Sequence, residues 1–283
     1  MKGTHNILHF ALSHNNSIAL NLRSLSLSLS LSLSLSLSLS LSLSRSKYDS
    51  ITVTISESAQ NRKYTKDELQ NYIKFKSSRP ELHENVWPRK LLFVGDDDII
   101  ASPPYKDEEG RRLVFFRTGN WAPSKNKITE IMQASILVLE LGLMEQAFTV
   151  VGGVCVFDFA GLSLTHVWNI TLRVAETVID LLARSFPVRI HAIHVVNQPM
   201  LFNAIFALFK PMLDRRMQEA IHFHGSDMNS LHQHISPKNL PKRYGGVHEE
   251  VSYRLWIEYM ESCPKIVDAL RRLGYHIEEV EQQ

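Results

Sequence analysis

After residue 60 the chain alternates short apolar runs with longer segments in which apolar residues recur every three or four positions. The short runs are rich in β-branched and aromatic residues and are bounded by Gly or Pro, a pattern typical of β-strands. The near-continuous apolar run VVGGVCVFDF favours a strand buried on both faces of a parallel sheet. The predicted strands are Arg112–Arg117, Val150–Phe159, Val188–Asn197 and Ala220–Gly225.

The segments with helical spacing predict helices between and around these strands. The first predicted helix starts with Thr65 and Glu68 in the order of a capping box. Strands that alternate with helices indicate an α/β architecture with a largely parallel sheet. The predicted helices are Tyr64–Lys76, Ser124–Gln146, Leu164–Ser185, Pro199–Met212 and Asp227–His234.

Three further segments have patterns that predict secondary structure less strongly. The connector WPRKLLFVGDDD is expected to be irregular, and Leu240–Gly246 is expected to return to the sheet or its edge. The tail Glu249–Glu281 is charged and amphipathic, so we expect helices that pack on the outside.

The N-terminal segment 1–60 is a different kind of sequence. Ser24–Ser44 is a strict Ser-Leu alternation, and a single strand of that length would be far longer than the strands of globular proteins. A CT dinucleotide repeat translates in every frame as alternating Leu and Ser. We interpret the tract as a translated microsatellite or a gene-model error, and residues 1–60 as a low-complexity, disordered segment.

Composition narrows the possible functions. Hydrophobic residues make up 44% of the chain and charged residues 21%, as in globular proteins. The formal net charge of +2 is too balanced for a general nucleic-acid binder. The two cysteines, Cys155 and Cys263, cannot form a disulfide framework and fit reduced thiols in the cytoplasm. The sequence contains neither a signal peptide nor an apolar stretch long enough to cross a bilayer, so no membrane span is predicted.

Motifs for catalysis or metal binding are missing from the sequence. It has no G-x-S-x-G elbow, G-x-G-x-x-G loop or P-loop. His222 and His224 share a strand face and His232 and His234 follow, but no zinc-type ligand set is evident. We therefore predict no catalytic residues, no metal and no cofactor.

Four segments in the second half of the chain carry a resemblance to a known family. They are FDFAGLSLTHVW, SFPVRIHAIHVVNQPMLFNAIFALFKPML, IHFHG and LPKRYGG, in that order over about 90 residues. Together they resemble the CRAL-TRIO lipid-binding family, and most closely its tocopherol-transfer and retinaldehyde-binding members. The resemblance implies a domain at 87–248, C-terminal helices at 249–283, and a remnant of the family's N-terminal helical domain at 61–86.

The resemblance also implies a site. The segment from Leu201 to Met212 is similar to the family's mobile gate helix over an apolar pocket. The implied lipid-binding residues are Met132, Ser135, Leu139, Phe157, Val178, Leu181, Leu182, Phe202, Ile205, Phe206, Phe209 and Met212. The implied phosphoinositide-binding residues are Arg189, His191, Lys210 and Arg216.

The implied function is the binding and transfer of a small hydrophobic lipid, tocopherol-like or retinoid-like. The carrier is expected to be a cytoplasmic monomer that binds phosphatidylinositol bisphosphate on endosomal or other intracellular membranes. Two alternatives stay open. One is a phosphoinositide-reading adaptor without transfer activity, and the other is an α/β enzyme such as a hydrolase, against which the missing nucleophile motif argues.

Overall fold

A five-stranded, mostly parallel sheet forms the centre of the computed structural model, which describes residues 65–251 and 253–277. The strands lie side by side in sequence order, and β1 runs antiparallel to β2 while the other neighbours are parallel. The α/β prediction is confirmed. The strands are β1 (Ile100–Ala101), β2 (Arg112–Arg117), β3 (Gly153–Asp158), β4 (Ile190–Val196) and β5 (Ile221–Gly225).

Helices, most of them short, connect and flank these strands. The α-helices are α1 (Lys66–Ser78), α2 (Phe93–Asp96), α3 (Ile128–Leu143), α4 (Gln146–Val151), α5 (Leu164–Asn169), α6 (Leu172–Ile179), α7 (Phe202–Phe209), α8 (Arg215–Ala220), α9 (Met228–His232), α10 (Tyr253–Glu261) and α11 (Pro264–Leu273). A π-helix, Asp180–Ser185, continues α6 without a break. None of the described helices is long and apolar enough to cross a bilayer.

The start of β3 differs from the prediction. Val150 and Val151 end helix α4, and Gly152 then turns the chain with a φ of 78°. A Cβ at Gly152 would collide with the carbonyl oxygen of Arg189, so the turn requires glycine. Placing both glycines inside the strand is therefore wrong, because Gly152 caps the helix and Gly153 begins the strand.

The segment Leu164–Ser185 is not one helix, as predicted, but three consecutive pieces. Helix α5 ends at Asn169, and the side chain of Thr171 accepts a hydrogen bond from the Val174 amide to begin α6. A threonine cap favours a new helix start over continuation. The predicted helix Pro199–Met212 is α-helical as α7 and then tightens into a 3-10 turn, Lys210–Met212.

The expectation for Leu240–Gly246 is wrong. Leu240–Gly246 forms no strand. Lys242–Tyr244 is a 3-10 turn that Gly245 ends with a φ of 73°, and Pro241 alone takes part in an isolated bridge. The tail forms the two expected helices, α10 and α11, and they pack through buried residues that include Ile257 and Leu270. The connector predicted as irregular contains helix α2 and the 3-10 turn Pro88–Leu91.

Helix α1 is tied into the core, and its predicted capping box is confirmed. The Thr65 hydroxyl accepts from the Glu68 amide at 3.1 Å, and the Thr65 amide donates to the Glu68 carboxylate at 2.8 Å. Tyr72 and Lys76 are fully buried, and the Lys76 ammonium donates to Glu140 of α3 at 2.7 Å. The expectations for residues 1–60, including the Leu-Ser tract, lie outside the described residues.

Candidate ligand cavity

An apolar cavity of about 200 Å³ lies between one face of the sheet and helices α3, α6 and α7. A single water needs roughly 10–15 Å³, and an apolar cavity of roughly 150 Å³ is large enough to hold benzene. The space is therefore much larger than a packing defect, and it has the size of a small-molecule site.

The sheet supplies the floor of this cavity through residues aligned across three strands. Phe116 of β2 pairs in register with Phe157 of β3, and Phe157 pairs with Val195 of β4. Because side chains alternate between faces along a strand, the neighbouring positions point away. Phe115 and Val156 accordingly pack into the core on the other face, and both are fully buried. One face of the sheet is thus solid and the other is hollow.

Helices α3 and α6 supply the walls. Met132, Ser135 and Leu139 recur at steps of three and four, so α3 presents them along one stripe. Val174 and Val178 of α6 also line the cavity, and the lining continues into the π-helix with Leu181 and Leu182. The wider turn of a π-helix changes the direction of successive side chains, and such segments are frequent at functional sites.

Helix α7 closes the cavity and is called the gate helix below. Its inner residues Phe202, Ile205, Phe206 and Phe209 line the cavity. Phe202 packs on Phe159 with ring centroids 4.7 Å apart, and Phe206 meets Phe223 of β5 at 5.2 Å. The outer positions Asn203, Ala204 and Ala207 are exposed. The gate helix therefore rests on the sheet largely through aromatic contacts on its inner side.

The structure brings eleven of the twelve residues predicted from the resemblance into the cavity wall. Met212 is the exception, and placing it there is wrong. The α-helix ends at Phe209, and the tighter 3-10 turn rotates Met212 off the stripe. Leu213 and Met217 line the cavity instead.

Sequence reasoning missed further lining residues on the strands and on α6. The alternation of side chains between the two faces of an extended chain could have identified Phe159, because it lies two residues after Phe157 and therefore on the same face. The missed residues are Ile99, Phe116, Arg117, Thr118, Trp121, Ile128, Ile131, Phe159, Ile170, Val174, Ile179, Ile193, Val195, Leu213, Met217 and Ile221.

The polar residues of the lining are Arg117, Thr118 and Ser135. The Ser135 hydroxyl donates to the Ile131 carbonyl at 2.8 Å, so toward a ligand it can only accept. The Arg117 guanidinium donates to the Tyr244 hydroxyl at 3.2 Å, to Glu250 at 2.8 Å and to Asp98. Burial lowers the pKa of Arg117, but these three partners together raise it above its usual value. A ligand in this cavity therefore meets an almost wholly apolar surface without an available charge.

The basic residues predicted to bind a phosphoinositide lie outside the cavity, in two places. Arg189 is exposed just before β4 and lies near His191, whose pKa is lowered by partial burial and by the positive charges of Arg189 and Arg111. Lys210 follows the gate helix, and Arg216 is exposed on α8, which packs against β4 and β5.

Cys155 offers no reactive thiol. It is buried in β3, and burial raises the pKa of its thiol to about 12. The thiolate needed for nucleophilic chemistry is therefore suppressed. The acidic run at the connector is engaged by arginines, since Asp96 pairs with Arg254 at 2.7 Å and Asp98 with Arg117 and Arg243.

Comparisons with known proteins identify a matching family and several relatives of this chain. The CRAL/TRIO domain family matches residues 96–246. The alpha-tocopherol transfer protein-like protein of Homo sapiens is 37% identical over 188 residues, 66% of this chain and 55% of that protein. Clavesin-1 of Rattus norvegicus is 29% identical over 198 residues, 70% of this chain and 53% of that protein. The crystal structure of Sfh5 matches at 18% identity with a TM-score of 0.44, covering 74% of this chain and 79% of Sfh5.

The chain belongs to the CRAL/TRIO domain family. Its matched region includes the sheet, the gate helix and all of the cavity-lining residues. The chain spans about half the length of the curated relatives it matches.

Proposed function

We propose that the protein binds one small hydrophobic lipid in the cavity under the gate helix and exchanges it at a membrane. The observation that carries this proposal is the apolar cavity of about 200 Å³, closed by a helix whose inner face is aromatic. Burying several hundred Å² of apolar ligand surface contributes roughly 10 kcal/mol before the cost of immobilising the ligand. The name of the human relative, alpha-tocopherol transfer protein-like, agrees with a carrier.

Exposed apolar side chains beside the gate support contact with a membrane. Leu164 is 55% exposed and Trp168 73%, one turn apart on α5, and Leu172 at the start of α6 is 53% exposed. Met200, just before the gate helix, is 88% exposed. A large apolar patch on a protein surface marks an interaction site, and Trp is suited to the interface between headgroups and acyl chains. A bilayer would solvate both this patch and the inner face of an opened gate helix.

We further propose that Arg189, His191, Lys210 and Arg216 recognise a phosphoinositide headgroup during this contact. Arginine is suited to phosphate because its planar guanidinium donates two parallel hydrogen bonds. Charge reversal at Arg189 and Arg216 should abolish the preference for vesicles that contain phosphatidylinositol bisphosphate. The matched control reverses two other exposed cations, Lys66→Glu with Lys238→Glu.

Two assays test the carrier proposal. Native mass spectrometry and lipid extraction of the purified full chain should detect one bound lipid per protein. Transfer of a fluorescent hydrophobic probe between donor and acceptor vesicles should then be accelerated by the protein. A chain that neither carries nor accepts a lipid contradicts the carrier proposal.

The adaptor alternative is distinguished by the same assays. It expects phosphoinositide-dependent vesicle binding that the Arg189→Glu, Arg216→Glu variant loses, without transfer of the probe. The cytoplasmic location, the monomeric state and the boundaries at residues 60, 86 and 248 stay predictions.

A further inference from the structure

Four histidines from distant parts of the sequence form one cluster on the solid face of the sheet. His194 lies on β4, His222 and His224 on β5, and His234 just after α9. The ring centroids of His194 lie 5.2, 5.1 and 5.1 Å from those of the other three, and the rings of His222 and His234 are 4.4 Å apart. We call these four residues the histidine cluster.

Hydrogen bonds through two of the four histidines, His194 and His224, form a chain that runs from β4 to α9. A ring nitrogen of His194 lies 2.9 Å from a ring nitrogen of His224, and the other nitrogen of His224 lies 2.8 Å from the Ser230 hydroxyl. A hydrogen bond between two imidazoles requires one nitrogen to accept. If both rings are doubly protonated, this bond is lost and two positive charges face each other.

Charged groups of both signs surround the cluster. Arg111, before β2, adds a positive charge toward His194, although Asp107 and Glu109 pair with it at 2.5 Å each. Asp227, at the start of α9, is the carboxylate that favours a proton on His224.

The environment favours the neutral form of three of the four rings, those of His194, His222 and His224. Burial, followed by the charges of the neighbouring histidines, lowers the pKa of His194 to about 3 and that of His224 to about 4. His194 is 2% exposed and His224 7% exposed. The pKa of His222 is lowered by the same two causes. The described histidines, cysteines and carboxylates include no group of three arranged to hold a metal ion.

The position of the cluster couples it to the gate helix. Within the part of the chain that the structure describes, β5 is an edge strand that pairs only with β4, and their pairing is interrupted by a shift between Val195 and Val196. Phe223 lies between His222 and His224 on the opposite face of β5, where it contacts Phe202 and Phe206 of the gate helix. The gate helix also belongs to the connection between β4 and β5. Separation of β5 from β4 would therefore remove a surface on which the gate helix rests.

We propose that the histidine cluster is a proton-sensitive latch, which holds β5 and α9 against β4 at neutral pH and releases them, and with them the gate helix, in acid. This inference rests on the proposed carrier function for its consequence, the release of a bound lipid. The opening of the β5 edge itself does not depend on that function.

Hydrogen exchange of the full chain without ligand tests the latch. Exchange is compared at pH 7.5 and 5.5 after correction for the intrinsic pH dependence of amide exchange. Each additional proton bound on opening increases the opening equilibrium up to about tenfold per pH unit. Amides of residues 221–234 should therefore lose at least about tenfold in protection, whereas those of β2 and β3 should change little.

Two variants probe the cluster and one serves as control. His234→Gln removes an exposed member without changing the core and should shift the opening to lower pH. His194→Phe keeps a buried ring that cannot be protonated and should flatten the pH dependence. His276→Gln alters a histidine that stacks on Trp87, outside the cluster, and should behave like the parent. Equal pH dependence in all four proteins, or loss of protection throughout the sheet at once, overturns the latch.

A second readout separates this inference from the carrier proposal. Diphenylhexatriene, a hydrocarbon fluorophore, is loaded into the protein and its release to phosphatidylcholine vesicles is followed at both pH values. Faster release at pH 5.5 in the parent than in His234→Gln supports the latch. A protein that takes up no probe contradicts the carrier proposal, while the exchange experiment still decides whether the β5 edge opens with acid.

Discussion

A tryptophan in place of Val178 is expected to plug the cavity. Val178 lines it from helix α6, so the bulk that an indole adds beyond the valine side chain would take up a substantial part of the 200 Å³ present. If a ligand then loses on the order of 100 Å² of apolar burial, binding weakens by about 2.5 kcal/mol. That corresponds to a roughly 70-fold higher Kd.

The Kd for diphenylhexatriene is measured by titrating its fluorescence with the parent and variant chains, and the stability of each chain is measured by thermal unfolding. Stability should be unchanged or slightly higher, since filling a cavity commonly stabilises a protein. Val247→Trp is the control, because Val247 is 62% exposed and lies outside the cavity lining. A Val178→Trp protein with unchanged melting and a Kd within twofold of the parent would refute the cavity as the binding site. Should it unfold, Ile131→Phe provides a second plug from α3.

Three further outcomes are expected. Lys76→Met should lower the free energy of unfolding by about 3–5 kcal/mol in urea unfolding, because it leaves the buried Glu140 without its cation. The double variant Lys76→Met with Glu140→Leu should have a stability near that of the parent. Equal losses of stability in both variants would contradict this. The pKa values of His194 and His224, about 3 and 4, lie below the ordinary value, so the unfolded chain binds more protons in acid. Stability should be complete above about pH 6.5 and fall by up to about 1.4 kcal/mol per group and pH unit as pH drops toward 4, as checked by urea unfolding between pH 7.5 and 4.5. Removal of co-purified lipid should lower the melting temperature, and adding diphenylhexatriene should restore it.

The elements that sequence reasoning found share a strong local cause. Strands β2 to β5 are dense in β-branched and aromatic residues, and Thr65 with Glu68 encodes a helix start within a single turn. The elements it missed have weak local causes. β1 spans only Ile100 and Ala101, and the polar sequence of α8 depends on Asp214, whose side chain accepts from the Met217 amide at 2.8 Å.

The candidate site likewise contains parts that the sequence predicts and parts that it does not. The stripe on α3 follows from helical spacing, whereas the π-helix that brings Leu181 and Leu182 to one wall has a period that the sequence does not display. The histidine cluster could be recognised only from the register between β4 and β5, which pairs His194 with His222. His222 and His224 can be placed on one strand face from the sequence. Their partner on the preceding strand, His194, is distant in sequence and is brought there only by the sheet.

The contrast between the two faces of the sheet argues that the hollow is selected. On the solid face, Leu113, Phe115 and Val156 are fully buried, which shows that this sequence packs a dense core where nothing is to be bound. An empty apolar cavity costs about 24 cal/mol per Å³, so roughly 200 Å³ costs on the order of 5 kcal/mol, comparable with the whole stability of many domains. Seven aromatic side chains line the space, and slightly different rotamers or larger neighbours would fill it. Because the lining offers almost no polar partner, an apolar occupant would offset that cost, which is what the proposed carrier function expects.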